Sequence, residues 1–134
     1  MSASFALQQA VYQRLTTFAA LSSLIGARVY DDPPLGADYP YVSFGPMDAL
    51  SEDADLLDGA EVSLQIDVWS SAQDGQREAK AICDAIRAAL HRHSANLSTG
   101  ALAMMEVSRL RTIPDPAEHL THGIVTLDCV VELP

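Results

Sequence analysis

Basic side chains are scarce in this chain: eight Lys and Arg stand against eighteen Asp and Glu in 134 residues, a formal charge of −10. The pI near 4.5 argues against a surface built to neutralise phosphates, and so against a DNA-binding role. Cysteine is equally sparse. Cys83 and Cys129 each fall on the apolar side of a periodic segment, where a free thiol behaves as a small hydrophobe, so folding in a reduced, cytoplasmic setting is the simpler reading than a disulfide. No uninterrupted apolar run approaches the ~20 residues of a membrane helix. Gln8, Gln9 and Arg14 interrupt the N-terminal stretch where an export signal needs an apolar centre, so neither a membrane span nor a signal peptide is expected.

Catalytic and metal-binding patterns are missing as well. His91 and His93, and His119 and His122, read as solvated loop histidines, because no carboxylate or cysteine at ligand spacing accompanies them. Ser70 and Ser71 follow a strand but lack the Gly-x-Ser-x-Gly frame of a nucleophile turn, and a helix-capping role accounts for them. Buried cysteines have raised pKa values, whereas a reactive thiolate needs exposure and a positive neighbour. Carboxylates such as Asp53 and Asp55 sit in an acidic run with nothing to hold their pKa values apart for acid–base work. The expectation is no enzyme, no metal and no cofactor.

What is present is a strand handing over to a helix. In Glu61–Trp69 period two puts Val62, Leu64, Ile66 and Val68 on one face and Glu61, Ser63, Gln65 and Asp67 on the other. After the Ser70–Gly75 turn, Ala79, Ile82, Cys83, Ile86 and Leu90 recur at helical spacing, and that stripe packs on the apolar strand face. Trp69, the only tryptophan, follows the polar parity. Two readings of it stand side by side: exposed in the monomer and buried against another subunit, or covering the end of this chain's own core.

Around this unit, Ser4 can cap a first helix with Leu7, Val11, Leu15 and Phe18 on its inner face and Gln8, Gln9, Gln13 and Arg14 outward. Leu21–Leu24 adds a turn, and Gly26 suits a helix C-terminus. Arg28–Tyr30 forms a short strand before the Asp31–Pro34 break. Tyr39–Pro46 opens the next strand, with Val42 and Phe44 on one side and Tyr41 and Ser43 on the other, bracketed by Pro40 and Pro46, and Asp48–Gly59, with Asp48, Glu52, Asp53, Asp55 and Asp58, is a long hairpin with a solvated or partner-facing tip. The alternation in Ala101–Ile113 is impure, since Met105 and Val107 share parity with Arg109 and Arg111, which predicts a bulge or an edge position. The last strand holds Val125, Leu127, Cys129 and Val131 on one face. The size suits one domain spanning 1–134, without repeats. The fold expected is α+β: an N-terminal helix and a mixed or antiparallel sheet of about four to five strands with one central helix on one face.

Gly26–Asp31, Tyr39–Gly45, and Leu64–Ser70 followed by the helix from Glu78 to Leu90 succeed one another as in the tail-completion family of long-tailed phages. The chain resembles that family, which includes homologues in gene transfer agents, over nearly its whole length. The resemblance implies a non-enzymatic tail terminator: a ring, usually hexameric, on the head-proximal end of the tail tube, ending tube polymerisation and meeting the head connector. Its partners would be its own copies, the tail tube protein and a connector or stopper, in a virion assembled in the bacterial cytoplasm. Trp69, Asp67, Gln65, Arg109 and Arg111 are candidate subunit-interface residues. Six copies at −10 each carry −60, so the Asp48–Asp58 acids are candidates to rim a channel through which DNA slides without sticking. A neck or head–tail connector protein is the alternative, and a small hydrolase or ligand-binding domain the alternative from another class.

Overall fold

The computed structural model describes residues 3–52, 59–74 and 76–132. The chain runs α1 (Ala3–Thr17), α2 (Ala19–Ile25), β1 (Val29–Tyr30), β2 (Tyr41–Glu52), β3 (Gly59–Ser70), α3 (Arg77–Leu90), β4 (Ala101–Asp115) and β5 (Leu120–Glu132). It is the α+β fold expected: one five-stranded sheet in the order β1-β2-β3-β5-β4, antiparallel except for the β1–β2 pair.

The two amphipathic periods meet as the sequence predicts. Val62, Leu64, Ile66 and Val68 of β3 are buried, as are Val125, Leu127, Cys129 and Val131 of β5, and Ala79, Ile82, Cys83, Ile86 and Leu90 of α3 pack over them. Leu7, Val11 and Leu15 of α1 and Leu21 and Ile25 of α2 extend the same core. All this apolar burial lies on one side of the sheet, where each fully buried aliphatic side chain contributes about 1.5–3 kcal/mol. Among the described residues the opposite side carries no helix, and there Glu61, Ser63, Gln65 and Asp67 of β3 lie beside Thr126 and Asp128 of β5 with a few apolar side chains such as Leu50 and Ile124.

The structure departs from the local pattern of the sequence in several places. Ser4 lies inside α1 instead of capping it. Phe18 is not part of the α1 face; it has extended backbone (φ −87°, ψ 109°) at the start of α2, so the second helix is a separate element. Gly26 ends α2 as expected, though not in the left-handed helical conformation: at φ 60°, ψ −132° it takes a positive-φ backbone that suits glycine, and its N–H donates to Ser22 O. Arg14, expected to face outward, turns back: its Nε donates to Ala89 O at 2.8 Å and its guanidinium sits 4.8 Å from the Phe18 ring centre. The arginine thereby satisfies a carbonyl in the last turn of α3.

Prolines do not bracket β2 as expected. The strand continues through Pro46, and its register against β3 shifts by one residue between Phe44 and Met47, so the imino acid sits in a bulge on the sheet's outer part. The hairpin expected from Asp48 to Gly59 is therefore shorter, because Asp48–Glu52 pairs with Gly59–Ser63. Asp53, Asp55 and Asp58 lie outside the described residues. β4 is both things its impure alternation predicted, an edge strand and a bulged one, with shifts at Leu102/Met104 and Val107/Arg109.

Candidate contact face

The bulge at Ser108 decides which side of the sheet two arginines reach. Val107 pairs with Leu127 on the core side, but Arg109 pairs with Thr126 and Arg111 with Ile124, both of outward parity. The extra residue flips the alternation. Arg109 and Arg111 thus share a face with Gln65, Asp67 and Trp69, and the five residues expected at a subunit interface occupy one surface, opposite the helices. Leu110 and Thr112 take the helix side, where Thr112 Oγ1 donates to Gln76 Oε1 at 2.5 Å.

At one end of this open face lies a fixed polar–aromatic cluster. The Trp69 and His122 rings stack with centres 4.0 Å apart and planes 8° from parallel. Trp69 Nε1 donates to Ser43 Oγ at 3.2 Å. His122 Nε2 lies 2.7 Å from Asp67 Oδ1, which also accepts from Gln65 Nε2 at 2.9 Å. Asp67 is only 7% exposed, so these bonds replace the water its carboxylate has lost. Trp69 neither projects freely nor covers the core: it is half-buried on the open face, held by a hydrogen bond to β2 and a ring stack on β5.

His122 is the residue the sequence reading missed. It is not in a loop but in β5, directly opposite Trp69 in the register. The alternation of the last strand, carried back past Ile124, would have placed it on the outward face. His91 is likewise engaged, its Nδ1 accepting Val107 N–H at 3.1 Å. His93 has a pKa lowered first by burial and second by Arg14. His119 adopts φ 55° in the β4–β5 turn. Among the described residues no three His, Cys, Asp or Glu side chains converge as a metal site would require.

Ser70 corrects the capping expectation. It is buried at the end of β3, its Oγ donating to Glu78 Oε1 at 2.7 Å and accepting Ala72 N–H at 3.3 Å, while Gln76 stands at the N-cap of α3 and makes no side-chain capping bond. The serine ties the strand end to the first helical turn. Both thiols are in the core, where burial, helped by Asp84 and Asp128 respectively, pushes Cys83 to about 11 and Cys129 to about 12.

The other end of the open face differs in character. Asp48, Leu50, Glu61, Ser63, Met104 and Asp128 line a shallow groove there. Among the described residues neither Arg109 nor Arg111 is paired with one of its carboxylates, and the close contact between a basic ring and a carboxylate on this face is that of His122 with Asp67. Asp48 is an exposed strand residue, and Glu52 is placed by its backbone alone, paired with Gly59. The arrangement suits recognition: rigid aromatic area, charges held at fixed spacing, and two ends of different chemistry.

An α+β protein with one covered and one bare sheet face is the class that fold and site define. The chain belongs to the tail completion protein gp17 family, whose model matches residues 9–132. A chain in the virion of a native gene transfer agent particle is similar to it at 32% identity and TM-score 0.89, with 98% of each chain covered. Bacteriophage SPP1 gp17 shares the fold, with TM-score 0.63 and 21% identity over 98% of this chain and 91% of that one. Comparison with curated proteins finds no match. The protein is accordingly a tail completion protein of a phage or gene transfer agent, a structural component associated with the virion tail.

Proposed function

We propose that this protein closes the head-proximal end of the tail tube as a ring, taken as hexameric, which halts addition of tube subunits and offers its far side to the head connector or stopper. The observation that carries this reading is the 32% identity kept over 98% of both chains with a gene transfer agent virion component. A function of contact alone needs no active site, and heterologous contacts that close by rotation make a ring. The open face supplies material for such contacts. Trp69 is pre-oriented by His122 and Ser43, Gln65, Arg109 and Arg111 stand beside it, and Asp67 acts from behind by holding His122. Fixing an aromatic in advance removes part of the ordering cost of association.

The acidic segment carrying Asp48, Glu52, Asp53, Asp55 and Asp58 rims the lumen in this reading, so that DNA passes without adsorbing. Assembly takes place in the bacterial cytoplasm, on tubes already grown to length. The test is polymerisation of the cognate tail tube protein with and without this protein, followed by electron microscopy. Tubes of limited growth bearing a cap at one end are expected. Unrestricted tubes would refute the reading, and protein found on the connector with tube growth unaffected would assign it to the neck.

A further inference from the structure

The sheet has two edges, and each is covered along only part of its length. At one edge β1 pairs with β2 at Val42 and Ser43 alone. Met47–Leu50 of β2 therefore has no backbone partner on its outer side among the described residues. At the other edge the chain leaving α3 lies along β4: Arg92 N donates to Met105 O at 2.8 Å, and Val107 N donates to His91 Nδ1 at 3.1 Å. No such cover reaches Arg109–Ile113 among the described residues. A strand edge left open in this way is a template for another strand.

The two open windows complement each other. Asp48 and Leu50 point to the open face and Met47 and Ala49 to the helix side; Arg109 and Arg111 point to the open face and Leu110 and Thr112 to the helix side. Leu50 is 66% and Leu110 37% exposed, so each window offers one large aliphatic side chain that a neighbouring strand would cover. Neither arginine forms an ion pair within the described residues. Three antiparallel steps separate β2 from β4, so the two strands run in opposite directions. A second copy's β2 placed beyond β4 in the same orientation thus continues the antiparallel alternation. Pro46 and Pro114, which lack an N–H, mark where each window stops.

We propose that the Arg109–Ile113 edge of one subunit takes up the Met47–Leu50 edge of the next as an added antiparallel strand, with Asp48 against Arg109 and Arg111, so that the sheet runs on from subunit to subunit. The inference rests on the ring reading and supplies its joint. Arg109 lies level with Thr126 and Gln65, whereas Asp48 lies level with Ser63. Each joint therefore steps along the strand axis, and the strands lean relative to the ring axis as they do in closed barrels. Asp48 then belongs to the contact between subunits and not to the lumen rim.

A chain carrying both Ala49→Cys and Leu110→Cys, bound to tail tubes and treated with a flexible bismaleimide, tests this directly. Both positions are exposed on the helix side, and Cys83 and Cys129 are buried. The expected result is a ladder of covalent oligomers on a denaturing gel, ending at the ring number, with only monomer from either single variant. In parallel, Arg109→Glu with Arg111→Glu should abolish capping, and adding Asp48→Arg to that chain should restore it. Capped tubes without a ladder and without charge-swap rescue would overturn the joint while leaving the ring standing. Absence of any cap with the unmodified chain would bring down the ring and the joint together.

Discussion

A β-carbon on Gly45 would stand 2.6 Å from Oδ2 of Asp67, the carboxylate that Gln65 and His122 hold. Only a glycine in the β2 bulge lets the buried acid lie flat against the neighbouring strand. Gly45→Ala is expected to push the Asp67 carboxylate aside and to cost about 1–3 kcal/mol, the range for overpacking a tight contact. Chemical denaturation monitored by circular dichroism would measure it, and an unchanged midpoint would show that the carboxylate moves freely.

His122→Ala removes both a partner of Asp67 and the ring stacked on Trp69. Leaving a nearly buried carboxylate with Gln65 alone costs about 1–3 kcal/mol. Because Trp69 is the sole tryptophan, its fluorescence reports the site without ambiguity. Emission should change in intensity and shift toward that of a solvated indole in the native state. A spectrum identical to that of the unmodified chain would contradict the stacked geometry.

Gly123 plays the corresponding part on the core side, where an added β-carbon would meet Cys83 Sγ at 2.8 Å and Val68 Cβ at 3.0 Å. Gly123→Ala should lift α3 from the sheet and destabilise by about 1–3 kcal/mol. The paired change Gly123→Ala with Cys83→Ala makes room for the methyl, and partial recovery of stability in the double variant is the measurable signature.

The thiols set an alkaline limit. Burial first, and Asp84 or Asp128 second, raise Cys83 from 9.0 to about 11 and Cys129 from 9.0 to about 12. Above about pH 9 the unfolded chain releases protons that the native state retains, so stability is fully present below that pH and falls as pH rises toward the folded values. Denaturation midpoints measured from pH 7 to 11 should decline only in the upper part of the range. At pH 8 the native thiols should resist a thiol reagent that the unfolded chain consumes at once.

Much of the architecture was legible because it depends on near-neighbour periodicity. Val62, Leu64, Ile66 and Val68, and the stripe from Ala79 to Leu90, needed only their spacing to be assigned to opposing layers. The impure alternation of β4 announced its bulges and its edge position without saying which arginines they would redirect. Pro46 misled, since a missing N–H ends a strand only where that N–H would have been used, and in a bulge it is not. The hairpin length and the place of Asp48 followed from that misreading.

The order of amino acids by itself determined two periods, the layers they build, the acidic balance and the polar parity on which Trp69, Asp67 and Gln65 lie, because each is a property of residues a few positions apart. Tertiary structure decided what those residues meet. His122 reaches Asp67 across 55 positions, a pairing set by the β3–β5 register and therefore by the whole core that holds it. The single inserted residue at Ser108 turned Arg109 and Arg111 to the open face. Where a sheet stops, and which stretches of its edges stay bare, depends on every strand at once, which no local pattern encodes.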